Sequence, residues 1–455
     1  MVKKLSFKVK AIYAIGQLGW STAVNLIGLQ LVYFYIPPAN SGIKLFIPQI
    51  TFLVVLNIIS ILAAVGRLWD AVTDPLIANI SDRWKGKNGR RIPFLLAGAI
   101  PAALFCSVMF IPLVSKVSYI NVIWLFIAQS FFYLFLTVYV TPFFALLPEM
   151  GHTPEEKLSL STYISITYAI GIVIASQAPG IGSILKGVFG LVDNATALQF
   201  SIGLISIFAA LFMLVPPIFI KEKDYCQSVP SDVPLFKALA NTFKNRSFRF
   251  YVVADFSYFM GLTIVMTGLA YYITVLLGLD DSMMGVLLPI MILVSFVFYP
   301  FVNLIAKKTG KKILVILSFL TMSWVFLSIF FLGRFPFSNS LQGYLLVISY
   351  AIPLAFLSVL PNAILADIAE NDGLKTGVKQ EGMFFAARTL MQKFGQTAGV
   401  LVFAMLTTFG KDPGADFGIR ISGVIGFILC IGAGIVFIGF NEKALLAESH
   451  SLLDK

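Results

Sequence analysis

The sequence predicts an all-α polytopic membrane protein, with twelve transmembrane helices in two six-helix bundles, and three observations predict it. First, 58% of the 455 residues are hydrophobic and only 12% are charged, with a mean hydropathy of +0.90. Soluble domains carry about 25% charged residues, so the solvent for most of this surface is lipid. Second, apolar runs long enough to cross a bilayer core, which takes about 20 helical residues, recur along the whole chain. Third, the pattern of runs and basic loops in residues 1–220 is repeated in residues 250–440.

The runs fall at 11–36, 49–80, 92–114, 120–147, 158–181 and 197–220, then at 250–278, 283–306, 313–333, 341–368, 382–409 and 417–440. Residues 221–249 read as a cytoplasmic linker and 441–455 as a cytoplasmic tail. The second and tenth runs exceed one bilayer thickness and need tilt or projection from it. Prolines inside the runs, such as Pro142 and Pro361, are tolerable where neighbouring helices satisfy the freed carbonyls. The first run follows a basic segment, as in a signal peptide, but its length and lack of a small-residue cleavage pattern favour an uncleaved helix.

Lys and Arg set the orientation, because cytoplasmic loops retain them. Of 33 such residues, only Lys44, Lys116, Lys186, Arg334 and Lys411 fall on the far side when the amino terminus is cytoplasmic. Arg67, Arg388, Lys393 and Arg420 fall within runs. Both termini are therefore expected in the cytoplasm, with the chain in a cell membrane. The net charge of +11 is topological and implies no nucleic acid. Cys106 and Cys430 lie inside runs, Cys226 lies in a polar loop, and His152 and His450 lie outside the runs, so neither a disulfide frame nor a His-based metal site is expected.

The two halves echo each other in their loops. Ser81-Asp82-Arg83-Trp84-Lys85-Gly86-Lys87-Asn88-Gly89-Arg90-Arg91 follows the second run, and Ala306-Lys307-Lys308-Thr309-Gly310-Lys311-Lys312 follows the eighth. Such an internal repeat is expected of a two-bundle transporter with its site between the halves. The segment Asp82, Arg83, Gly89, Arg90 and Arg91 is either a solvated topogenic run or a hinge that locks one conformation through salt bridges to helix ends. The second reading is favoured by its mixed charges and central glycine.

Ionisable groups at the bilayer centre cost roughly 2.5–3.5 kcal/mol each on insertion scales. The second run nevertheless carries Arg67, Asp70 and Asp74. Asp70 and Asp74 are four apart and so share one helix face, and two close carboxylates in low dielectric need a cation or a proton between them. Thr73 and Thr137 add hydroxyl oxygens, giving an all-oxygen site suited to a small hard cation such as Na⁺. The alternative is a structural ion-pair network with Arg388 and Lys393 of the eleventh run. Asp255 and Asp367 lie near cytoplasmic ends of runs, where a loop Lys or Arg can pair with them. No nucleotide, zinc-protease or hydrolase motif is present, and no cofactor is expected beyond a coupling cation.

Arg67–Leu96, Pro142–Glu149 and Ala366–Lys393 resemble the melibiose-permease-like glycoside–pentoside–hexuronide:cation symporters of the major facilitator superfamily. The resemblance covers nearly the whole chain and is most specific in the Asp70–Asp74 signature. It implies that Asp70, Thr73, Asp74 and Thr137 bind Na⁺ or H⁺, and that Lys393 touches both cation and substrate regions. On the sugar side the sequence departs from the family. Ser21 and Val140 stand where the sugar-gripping aspartates are, Phe144 stands at the stacking tryptophan, and Ser165 lies near the fifth-helix arginine. The eleventh run instead offers two stripes of donors, Arg388 with Gln392 and Thr389 with Lys393. Arg388 could hold an anionic solute through two parallel hydrogen bonds, or it could pair with a protein acid such as Asp367. The expectation is a monomeric cation-coupled symporter of a sugar, glycoside or hexuronide, with membrane lipid around it. A lysolipid transporter of the same fold is the alternative.

Overall fold

The computed structural model describes residues 5–49, 51–52, 56–84, 86, 89–151, 154–190, 193–226, 242–376 and 381–453. Helices α1 (Phe7–Tyr35), α2 (Ile58–Arg83), α3 (Ile92–Val108), α4 (Tyr119–Met150), α5 (Pro154–Ser176), α6 (Ala178–Phe189) and α7 (Asn194–Phe219) fill the first half. A four-residue turn of helix, α8 (Glu222–Tyr225), follows. The second half holds α9 (Arg246–Tyr271), α10 (Met284–Thr309), α11 (Lys311–Ile329), α12 (Asn339–Thr376), α13 (Glu381–Leu406), α14 (Phe417–Ile438) and α15 (Glu442–Leu453). Among the described residues, every one of the twelve apolar runs contains a helix.

Helix starts follow the local chemistry. Ser6, Ser118, Asp193 and Asn245 each accept a backbone N–H of the first turn that follows them, satisfying donors that have no partner within the helix. Proline occupies the first turn of α3 and α6, where no N–H is needed. Eight of the described helices are long and apolar enough to cross a membrane by length and composition alone. Those that miss this bar are informative. Helix α3 has only 17 residues, whereas α1, α2 and α13 are diluted by polar groups: Gln17 and Gln30, Arg67 to Asp74, and Arg388 to Gln396.

The runs and the helices differ in two places. The second run was expected to be helical from residue 49, but its first part is a short antiparallel pair, Thr51–Phe52 with Leu56–Asn57. That stretch is rich in β-branched Ile, Thr and Val, which lose side-chain freedom in a helix. The fifth run breaks at Gln177, since Pro179 cannot donate into the preceding turn, and resumes as α6 to Phe189. The tenth run forms a 38-residue helix, α12, longer than one bilayer core needs.

The chain divides into two compact units, Met1–Ser231 with Asp280–Leu288, and Asp232–Leu279 with Pro289–Lys455. In the first, α1 packs on α5 and α7, and α3 on α4 and α7. Tyr13 stacks on Phe143 at 4.3 Å and donates its hydroxyl to the Phe143 carbonyl at 2.7 Å, while Tyr139 donates to the Met213 carbonyl at 2.9 Å. Each buried hydroxyl thus has a partner and ties one helix to another. In the second unit the Tyr272 and Ser422 hydroxyls meet at 2.6 Å.

Candidate functional site

Helix α2 carries the expected cation acids and packs on α4. Thr137 of α4 donates its hydroxyl to Asp74 Oδ1 at 3.0 Å. Two turns earlier on the same face of α4, Gln129 donates to the Leu62 carbonyl at 3.4 Å. Thr73 is buried and Asp74 half-buried. Asp70 and Arg67 lie on α2 one and two turns before Asp74, and their side chains fall outside the described residues. Carboxylate and hydroxyl oxygens held this way are ligands for a hard cation or acceptors for a proton.

The loop from α2 to α3 forms a clamp. Glu222, just after α7, accepts the backbone N–H groups of Arg90, Arg91 and Ile92 at 2.7, 2.8 and 3.0 Å. A carboxylate at a helix N-terminus satisfies unpaired donors and meets the positive end of the helix dipole. Glu149, at the end of α4, takes Nη2 of Arg90 at 2.9 Å and of Arg91 at 3.0 Å, and Arg91 Nη1 also reaches Ser81 Oγ at 2.7 Å. Gly89 has φ +111°, and a Cβ there would lie 2.2 Å from Glu222 Oε2, so only glycine fits. Asp82 and Arg83 have side chains outside the described residues. Cys226 sits beside this cluster. Burial pushes its thiol up to about 12, Glu149 and Glu222 push in the same direction, and Arg90 and Arg91 oppose them.

The second unit holds a matching clamp. Glu442 accepts the N–H groups of Lys311 and Lys312 at 3.0 and 2.8 Å, after Gly310 at φ +86°, and Lys311 Nζ meets Asp367 at 2.5 Å. Asp367 is thus engaged by a loop lysine, as its position suggested, and is not the partner of Arg388. That partner is Asp255 of α9. Arg388 Nε and Nη2 bind the two Asp255 oxygens at 3.0 and 3.1 Å, Nη1 binds Asn362 Oδ1, and Gln392 adds a bond to Asp255 Oδ2 at 3.1 Å. The Arg388–Gln392 stripe therefore serves one buried acid. On the other stripe Thr389 is exposed, with its hydroxyl on the Phe385 carbonyl at 2.9 Å, and Lys393 is half-buried.

The expected substrate positions of the first unit separate. Ser21 is fully buried, bonds to the Leu18 carbonyl at 3.1 Å and fills the space left by Gly171 of α5, so it presents no free surface. Phe144 is exposed and lies edge-on to Trp20 at 5.8 Å, and Trp20 lies 5.8 Å from Tyr168. Sequence reasoning missed Trp20, Tyr168, Asn362, Glu222 and Glu442. An acid just past the last span of each half was the available signal for the two glutamates.

Comparison with known proteins agrees with this architecture. The nucleoside transporter NupG superposes with a TM-score of 0.63 at 13% identity, over 97% of this chain and 98% of that one, a likeness of fold alone. The putative sulfoquinovose importer of Escherichia coli is 26% identical over 90% of this chain and 84% of its own length. The sodium-dependent lysophosphatidylcholine symporter 1 of Gallus gallus is 21% identical over 84% and 77%. The family described as MFS/sugar transport protein matches residues 12–438. With that match spanning almost the whole chain, the protein belongs to this family and is a multi-pass membrane transporter, not an enzyme.

Proposed function

We propose that the chain couples uptake of a sugar, glycoside or hexuronide to Na⁺ or H⁺ by alternating access, in a cell membrane with both termini cytoplasmic. The observation that carries this reading is the Thr137–Asp74 hydrogen bond between two spanning helices, with Asp70 one turn away on α2. A cation or proton shared by the two acids relieves their repulsion. In the first unit, the exposed face of Phe144 with Trp20 and Tyr168 offers an apolar wall for a sugar ring. In the second unit, the exposed Thr389 hydroxyl offers an acceptor and Lys393 an ammonium donor. Arg388 and Gln392 act as positioning residues through Asp255. The Gly89–Arg91 clamp, with Asp82 and Arg83 beside it in sequence, acts as the lock of one conformation. The family's description and the sulfoquinovose importer support a sugar-type substrate.

A lysolipid is the second reading, favoured by apolar or buried residues at the two positions where the resembled family grips sugar: Val140 against the core and Ser21 under Gly171. The lysophosphatidylcholine symporter supports it. Proteoliposomes under an imposed Na⁺ or pH gradient test both readings, with sugars, uronates and lysolipids as cargo. Asp74→Asn and Asp70→Asn should each abolish concentrative uptake, and an inside-negative potential should drive it in the wild type, since one charge crossing 100 mV gains about 2.3 kcal/mol. Accumulation that survives both substitutions overturns the cation site.

A further inference from the structure

We propose that the groove where α11 and α12 are joined by the 330–338 loop binds a membrane phospholipid, with an acyl chain in the groove and the phosphate on Arg334. The groove encloses about 300 Å³ and is lined by Trp324, Ser328, Leu332, Phe335, Phe337 and Leu345, among others. Its Trp324 wall continues an exposed apolar stripe along α11. Ile313, Leu317, Leu320 and Trp324, spaced four, three and four apart along α11, are all exposed on a helix apolar enough to span a membrane. The walls are built in advance. Buried Arg420 donates to the Phe330 and Leu332 carbonyls at 2.8 and 2.9 Å while paired with Asp416. Buried Gln342 accepts the Gly333 N–H at 2.7 Å and donates to the Phe337 carbonyl at 2.9 Å. A preset groove spares the ordering cost of binding.

An apolar groove alone does not hold one lipid over another, because lipid tails are as apolar as its walls. Arg334 supplies the difference. It stands between the lining residues Leu332 and Phe335, is exposed, and has its guanidinium 5.9 Å from the Phe330 ring centre. Among the described residues it makes no ion pair, whereas Lys44 and Lys411 have aspartate partners and Lys186 bonds to Asn194. An exposed guanidinium on the loop that carries the groove's lining residues can hold a phosphate ester through two parallel hydrogen bonds.

The test is native mass spectrometry of the full chain in neutral detergent, titrated with palmitoyl-oleoyl phosphatidylglycerol or with the diacylglycerol of the same chains. The phosphatidylglycerol adduct should fall about tenfold in Arg334→Gln, the worth of one charge-assisted bond. It should fall as far when Leu345→Trp fills the groove. Diacylglycerol retention should be weak and insensitive to Arg334→Gln. Ser349→Leu, also in the groove, replaces Leu345→Trp if that variant does not elute as a single folded species. Phosphatidylglycerol retention unchanged in Arg334→Gln, or unchanged in the groove-filled variant, overturns the proposal.

Discussion

Gly89-Arg90-Arg91 in the first unit and Gly310-Lys311-Lys312 in the second are two versions of one device. In both, a glycine with positive φ turns the chain into a helix, and a glutamate just beyond the last span of that unit accepts the first backbone N–H groups. Both also place a basic side chain on an acid in the C-terminal part of α4 or α12. The difference lies in the side chains. Two arginines, 17% and 7% exposed, converge on Glu149, whereas one lysine, 29% exposed, meets Asp367, which is 22% exposed. The backbone half of the device is shared, and the side-chain half is stronger in the first unit. Arginine's planar fork and weaker hydration suit burial better than a compact ammonium does.

The largest effect should come from breaking the arginine clamp. Glu149→Gln removes the carboxylate on which buried Arg91 and partly buried Arg90 converge, a loss of up to about 3–5 kcal/mol. Asp367→Asn breaks a pair that water still reaches and should lose about 1 kcal/mol or less. Melting of the purified protein in detergent measures both, and equal losses would mean the two clamps bear equal load.

The glycines sharpen the same contrast. Positive φ costs an alanine roughly 1–2 kcal/mol at either position. At Gly310 a Cβ would lie 3.2 Å from Glu442, a contact that a small shift relieves, but at Gly89 it would lie 2.2 Å from Glu222 and must displace the cap. Gly89→Ala should therefore lose a further 1 kcal/mol or so from the lost cap, seen as a lower unfolding midpoint than that of Gly310→Ala. A larger loss in Gly310→Ala would place the tighter turn in the second unit.

What the sequence could and could not give follows from range. Spans were legible because lipid imposes a continuous apolar run, and Asp74 stood out because charge is rare there. Thr137 was named as a nearby hydroxyl and again through resemblance, and a hydrogen bond joins it to Asp74. The glutamate caps were not legible, since Glu222 and Glu442 lie 132 and 131 residues from the first N–H that they accept. The partner of Arg388 failed for the same reason. Asp367 was nearer in sequence, but the fold brings in Asp255 from 133 residues away and leaves Asp367 to a loop lysine. Local polarity locates a buried charge, whereas its partner is a property of helix packing. The start of the second run failed differently, because an apolar run of β-branched residues reads alike as strand or helix.

The smallest effect uses Cys226 as a built-in reporter of the first clamp. Cys106 and Cys430 are fully buried, so alkylation with N-ethylmaleimide reads mainly this half-buried thiol. Its pKa of about 12 keeps the reactive thiolate scarce at pH 8, and a lowered pKa therefore means faster reaction. Glu149→Gln removes an acid that raises the pKa and loosens the packing, so both consequences accelerate alkylation, by a few fold. Arg91→Gln separates them. Losing that positive charge raises the thiol pKa and slows reaction if the cluster stays shut, but an opened cluster admits water and speeds it. Because Glu149 holds both arginines through one oxygen, losing either arm should open the cluster, and acceleration is expected in both variants. Asp367→Asn, in the other unit, should leave the rate unchanged. Slower alkylation in Arg91→Gln would show that Arg90 alone keeps the clamp closed, and the first unit would then have the same one-cation lock as the second.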